Sequence, residues 1–366
     1  MTILLVIAIL VLLIVVHELG HFIAAKLFGV SVEEFGVGYP PRAFSFGMWG
    51  GTEYTLNWIP FGGFVRLFGD EGTITHGRGS FADASRWKQA IILVAGVSMN
   101  VVAAFFLFFG AYSLGILHVV DDQSASSLPA QSGVQLLITD IVPGSPADAA
   151  GLKAGDQIVG LVDDADIAAT LTPDGVLQFV SSHGGQDLSV TFMHAGATST
   201  TSLTPAHAVV TQDSGRPAIG VGLALVTKES ISFVPAAKAS AISTYNTFVV
   251  VGQGLWTIID GTVHGAPDLK DVTGPVGLVS VVGEASRSGI GYVLSLAAFI
   301  SVNLAVINLI PIPALDGGRL VIVALEAIIR RPAPRMAVQT LNALGIFLIL
   351  LLMVIVTYND IARLIA

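Results

Sequence analysis

The run Ile3–Val16 carries no polar side chain, and it leads directly into His17-Glu18-Leu19-Gly20-His21. An apolar stretch of this length is most stable as a helix that crosses or is buried in a membrane. There, ionisable groups are costly and are generally kept for function. Residues four apart on a helix lie about one turn apart and on the same face. His17 and His21 can therefore reach one tetrahedral metal ion, with Glu18 close enough to take a proton from an attacking water. Chance matches to H-E-x-x-H are common, so the apolar setting carries much of the weight.

Composition agrees with a membrane protein. Of 366 residues, 53% are hydrophobic and 12% charged, against about 25% charged in soluble domains. With no cysteine, disulfides, thiolate ligands and a cysteine nucleophile are excluded, and any metal must use His and carboxylate. A net charge of −9 argues against nucleic acid as a partner. The N-terminus lacks the basic region and small-residue cleavage site of a signal peptide.

Four spans are expected from the need for about 20 apolar residues per crossing. They are residues 2–27, 90–117, 292–329 and 341–358, the third interrupted at Pro311-Ile312-Pro313. The membrane core thus has a first part, 1–117, and a second part, 292–366. Lys26, Arg42, Arg66, Arg78, Arg86 and Lys88 follow the first span, and Arg330, Arg331 and Arg335 follow the third. The segment between the second and third spans is acidic, with Asp121, Asp122, Asp163, Asp164 and Asp166. By the positive-inside rule both termini and that segment are extracytoplasmic. His17 and His21 then lie in the cytoplasmic half of the bilayer.

Residues 30–70 are Gly- and aromatic-rich, as in Phe35-Gly36-Val37-Gly38-Tyr39-Pro40 and Asn57–Leu67. They read as membrane-associated β-hairpins whose backbone needs shielding or pairing. Two roles stay open: pairing with a substrate strand, or a plug over the metal site. Residues 118–229 read as an inserted α/β domain. Gly144-Ser145-Pro146-Ala147, followed by Ala150-Gly151-Leu152 and Gly155-Asp156-Gln157-Ile158, resembles a PDZ domain. Such a domain binds extended peptides, or acts here as a size filter. His183, His194 and His207 read as ordinary surface or loop histidines. Residues 230–291 read as an amphipathic interfacial region. A fifth span there is disfavoured by Lys238, Ser240, Ser243, Thr244, Asn246 and Gln253.

A zinc centre needs a third protein ligand. Asp316, in Asn308-Leu309-Ile310-Pro311-Ile312-Pro313-Ala314-Leu315-Asp316-Gly317-Gly318-Arg319, lies at matching depth in a span running the same way as the first. The alternative is an ion pair between Asp316 and Arg319.

The His17–His21 motif, the PDZ-like insertion and the N-x-x-P-x-P-x-L-D-G run together resemble the site-2 protease family of intramembrane zinc metalloproteases. Within it they are most similar to the bacterial regulator-of-sigma-E type. The resemblance implies a polytopic α-helical protein of the bacterial inner membrane. His17, His21 and Asp316 would be ligands of Zn²⁺, and Glu18 the catalytic acid/base. Asn308 and Pro311 match positions that handle substrate, and Gly96–Asn100 matches a G-x-x-x-N element of helix packing and site support. The implied partner is a single-pass membrane protein already shortened outside, such as an anti-sigma factor or a remnant signal peptide. The single PDZ-like domain is a departure from members with two. Two other functions compete: a noncatalytic metal-binding membrane protein that captures peptides, and a metal transporter. Three ligands leave one position open, which favours the enzyme. Oligomeric state is not legible.

Overall fold

A computed structural model describes residues 2–70, 77–116, 118–119, 133–163, 168, 170–194, 196–207, 215–227, 231–264 and 274–365. Asp121, Asp122, Asp164 and Asp166 lie outside the described residues. In chain order come α1 (Thr2–Leu27), β1 (Val32–Trp49), β2 (Thr52–Leu67) and α2 (Arg86–Ser113). Next are β3 (His118–Val119), β4 (Gln135–Ile141), α3 (Pro146–Ala149), β5 (Gln157–Val162) and α4 (Pro173–Ser182). Then follow β6 (Leu188–His194), β7 (Ala197–Leu203), β8 (Val221–Thr227) and α5 (Phe233–Val263). The chain ends with α6 (Pro275–Ser288), α7 (Ile290–Leu309), α8 (Asp316–Ile329) and α9 (Arg335–Ile365). Two compact units result, Gly115–Ile231 and the remainder, Met1–Leu114 with Ser232–Ala366.

In the larger unit, α1, α2, α7 and Met336–Ala362 of α9 are long and apolar enough to cross a membrane. The expected third crossing is two helices, with α7 ending at Leu309 and α8 starting at Asp316. The prolines between them explain the break, since neither supplies a backbone N–H. Helix α1 stops at Gly29, whose φ of +75° suits the left-handed cap that glycine permits.

Small residues let the helices approach. A Cβ on Gly20 of α1 would stand 2.3 Å from the Ala95 carbonyl oxygen of α2. That contact is backbone and cannot swing aside. Gly20→Ala is expected to destabilise the unit by about 1–3 kcal/mol, read as a lower thermal midpoint in detergent; an unchanged midpoint would show that the helices part freely. Farther along α2, Ala104 and Phe108 pack with Ala298, Val302 and Val306 of α7. Phe248, Val251 and Leu255 of α5 join this cluster. Ser240 and Thr244 of α5 are buried, their hydroxyls donating to the Ala236 and Ser240 carbonyls at 2.6 and 2.8 Å.

The loop after α1 is a bent β-sheet. Gly50 and Gly51, at φ +58° and +75°, make the tight turn from β1 to β2. Beyond it β2 doubles back, so Glu34–Val37 lie between Glu53–Leu56 on one side and Gly63–Arg66 on the other. Glu34 is buried and bridged to Arg42 and Arg66 at 3.3 and 3.0 Å, and it accepts a hydrogen bond from Thr55 at 2.7 Å. Phe44, Phe46, Met48, Trp49 and Trp58 are exposed.

The smaller unit is a six-stranded sheet in the order β3-β8-β4-β5-β6-β7. Helix α4 begins at Pro173, capped by the Thr172 hydroxyl, which accepts from Gly175 N–H at 3.1 Å. Its Val176, Phe179 and Val180 share one core with Leu136, Ile158, Leu188 and Val190 of the strands. His194 pairs with buried Asp156 at 2.5 Å and His183 with Asp163 at 3.5 Å, each closing a local contact within this unit.

Candidate metal centre

Helix α1 is uninterrupted through His17–His21, so both imidazoles project from one face, their rings edge to face with centroids 4.8 Å apart. Both residues are buried. Helix α8 brings Asp316 to them from the other end of the sequence. Asp316 Oδ2 lies 3.0 Å from His17 Nε2 and 3.2 Å from His21 Nε2, and the two Nε2 atoms are 3.2 Å apart.

That triangle fits a metal. Ligand atoms about 2.0–2.1 Å from a tetrahedral zinc sit about 3.3 Å from one another. His21 Nδ1 donates to the Ile92 carbonyl at 2.8 Å, so its Nε2 presents a lone pair when the ring is neutral. Asp316 Oδ2 is buried and faces the two imidazole nitrogens. A cation placed between these atoms would satisfy all three at once. Two imidazoles and a carboxylate are also a donor set zinc favours, with a fourth position left for water or substrate.

Asp316 is set by its surroundings. A Cβ on Gly317 would stand 2.4 Å from the Leu309 and Ile310 carbonyl oxygens, and one on Gly318 2.2 Å from that of Ile312. The two glycines thus let the first turn of α8 press onto the proline-broken segment. Ala314 is held at φ +77°, and its N–H donates to Asn342 of α9 at 3.2 Å. Arg319 pairs with Asp70, not with Asp316. The alternative ion pair is therefore not formed. Asn308 is half-buried in the last turn of α7, and Pro311 is exposed at the break.

Glu18 lies beside the triangle. The β2 strand passes over it: the Val65 backbone lies close to its carboxylate, and a Cβ on Gly63 would lie 3.5 Å from its Cγ. Outside the helices, burial and the Glu18 charge push the Tyr39 phenol of β1 up.

Gly96 of α2 lines the other side. A Cβ there would stand 2.3 Å from His21 Nε2 and 2.8 Å from His17 Cε1. Asn100, one turn on, places its amide nitrogen 3.2 Å from His17 Nδ1. The sequence points to Gly96–Asn100 only through the family resemblance. Asn342 carries no local signal, because its partner is 28 residues away.

Helices fit to cross a bilayer, a buried triangle of metal donors and a carboxylate held beside it together define a membrane metallopeptidase. The family is identifiable from the whole chain. The model described as peptidase family M50 matches residues 5–352. A "Putative zinc metalloprotease" of Clostridium perfringens is 33% identical, over 95% of this chain and 95% of its own. Another so named, from Agrobacterium fabrum, is 30% identical over 98% and 95%. The "Zinc metalloprotease RasP" of Geobacillus kaustophilus is 28% identical over 95% and 94%. The chain belongs to peptidase family M50.

Proposed function

We propose that this chain is a zinc endopeptidase that cuts single-pass membrane proteins within the bilayer, with His17, His21 and Asp316 as the metal ligands and Glu18 as the acid/base. The observation that carries the reading is the convergence of three buried donor atoms, 3.0–3.2 Å apart, with Glu18 alongside. The relatives' names, which specify zinc metalloproteases, support the metal and the reaction class.

When bound, zinc lowers the pKa of water and polarises the scissile carbonyl. Glu18 takes the proton of the attacking water as the new carbon–oxygen bond forms. It returns that proton to the amide nitrogen as the carbon–nitrogen bond breaks. A transmembrane helix hides its carbonyls in internal hydrogen bonds, so the substrate unwinds before it reacts. The backbone of Gly63–Arg66, close to Glu18, is suited to pair with the unwound strand. Asn308 hydrogen-bonds the exposed peptide, and Pro311 shapes the break beside it.

The basic residues after the first span and after α8 support a cytoplasmic location for those loops. On that orientation the termini and residues 118–229 are extracytoplasmic, and the site faces the cytoplasmic half of a bacterial inner membrane. The 118–229 domain, PDZ-like in sequence, screens substrates shortened outside. Residues 230–291 line the interface, and 1–117 with 292–366 form the protease core.

The test is cleavage of a single-pass reporter carrying a remnant signal peptide, reconstituted with the protein in liposomes. Stripping the metal with a chelator is expected to abolish cleavage, and stoichiometric zinc to restore it. Cleavage that persists in metal-free protein rules out the mechanism. Zinc binding without cleavage of any transmembrane reporter would favour the noncatalytic peptide-capture reading.

A further inference from the structure

The two imidazoles are held at their far nitrogens by different groups. His21 Nδ1 meets the Ile92 carbonyl, which can only accept, so its proton is fixed at Nδ1 and its Nε2 is left to bind metal. His17 has no such carbonyl. Its Nδ1 meets the side-chain amide of Asn100, a residue of α2 with no exposed surface. With the amide nitrogen on that side, the N–H donates to His17 Nδ1. The His17 proton must then sit on Nε2, the atom that faces Asp316. A protonated Nε2 cannot bind a metal.

The other end of the same amide has no role in that arrangement. Asn100 Oδ1 is buried without a hydrogen-bond partner. The two ends of an amide have nearly the same shape, and a half-turn about the terminal bond exchanges them without moving the helix. The backbone at Asn100 is fixed independently, because the Ser301 hydroxyl of α7 donates to its carbonyl at 2.8 Å. After the half-turn, Oδ1 accepts the Nδ1–H of His17 and is no longer orphaned. Both histidines then carry their protons at Nδ1 and offer Nε2 to the same point.

We infer that Asn100 is a positioning residue of the metal centre: in the zinc-bearing protein its Oδ1 accepts from His17 Nδ1–H and so commits His17 Nε2 to the metal. The inference rests on the proposed ligand set. Acceptors behind metal-bound histidines fix the tautomer and raise ligand basicity, and their loss costs about 10–100-fold in metal affinity.

The experiment measures zinc affinity of the full-length protein in detergent by chelator competition, for the parent, Asn100→Leu and Asn100→Asp. Leucine keeps the volume and removes the acceptor. Aspartate keeps an acceptor and has no N–H. The expected result is a drop of about 10–100-fold in Asn100→Leu, with Asn100→Asp within a few-fold of the parent. Parental affinity in Asn100→Leu overturns the inference. So does equal loss in both variants, which marks a packing role or a need for the amide N–H. If Asn100→Leu does not fold, Asn100→Ala, which also lacks the acceptor, is measured in its place, with Asn100→Asp kept as the variant that retains one. A parent that binds no zinc removes the ligand assignment itself, and the inference with it.

Discussion

Glu18→Gln is expected to bind zinc like the parent and to lose about 10²–10⁴-fold in turnover, the range general acid–base catalysis contributes. The substitution is nearly isosteric. Its side chain has the same shape and fills the same space beside Gly63 and Val65, so the β2 strand has no reason to move. The three donor atoms belong to His17, His21 and Asp316, and their spacing does not depend on Glu18. What disappears is a base that takes a proton from water and returns it to the leaving nitrogen. The loss should therefore fall on kcat and leave KM near its parental value. Zinc content by elemental analysis, beside single-turnover cleavage of a reconstituted reporter, separates the effects. Activity within tenfold of the parent would remove Glu18 from the chemistry. Loss of zinc along with activity would make it a support of the centre rather than its acid/base.

Much of the site was legible because its halves are locally coded. His17 and His21 are one helical turn apart, a spacing that survives any tertiary arrangement. Pro311 and Pro313 announce the break between α7 and α8, and Asp316 stands where α8 begins. Counting residues along the expected first and third spans puts His17 and Asp316 at a similar depth, and the structure places their side chains 3.0 Å apart. By contrast, the groups that tune the site are long-range. His21 meets Ile92 across 71 residues, and His17 meets Asn100 across 83; hydrophobic periodicity records neither. Helix α5 shows a different obstacle. Ser240 and Thr244 count against burial when read as polar residues, yet both are buried because each hydroxyl bonds a carbonyl of its own helix. Apolar neighbours then meet a surface whose polarity is already satisfied. Residues 30–70 show a third. Gly- and aromatic-rich runs suggest strands there, but only the register places Glu34–Val37 between two stretches of β2 and brings Gly63 and Val65 over Glu18.

Gly96→Ala should strike the metal centre directly. The added Cβ would stand 2.3 Å from His21 Nε2, 2.7 Å from His21 Cε1 and 2.8 Å from His17 Cε1. These contacts are far inside van der Waals separation, so something must move. The backbone of α2 has little freedom, since Gly20 of α1 lies against Ala95 and Gly96, and Asn100 is bonded to Ser301 of α7. The imidazoles are thus displaced, and the atom nearest the new methyl is one that faces Asp316 Oδ2. A shift of about 1 Å in one ligand exceeds the ±0.2 Å tolerance of a zinc bond. Gly96→Ala is therefore expected to lower zinc affinity at least about as much as losing an outer partner of a ligand, some 10–100-fold, and to lose cleavage in proportion. Gly110→Ala on the same helix is the control. Its Cβ would meet only the end of the Leu294 side chain at 3.3 Å, which can rotate away. Parental zinc affinity and activity in Gly110→Ala, with both lost in Gly96→Ala, would show that glycine is needed at Gly96 for the room it leaves and not for helix flexibility. Equal loss in the two variants would instead assign the effect to α2 packing as a whole.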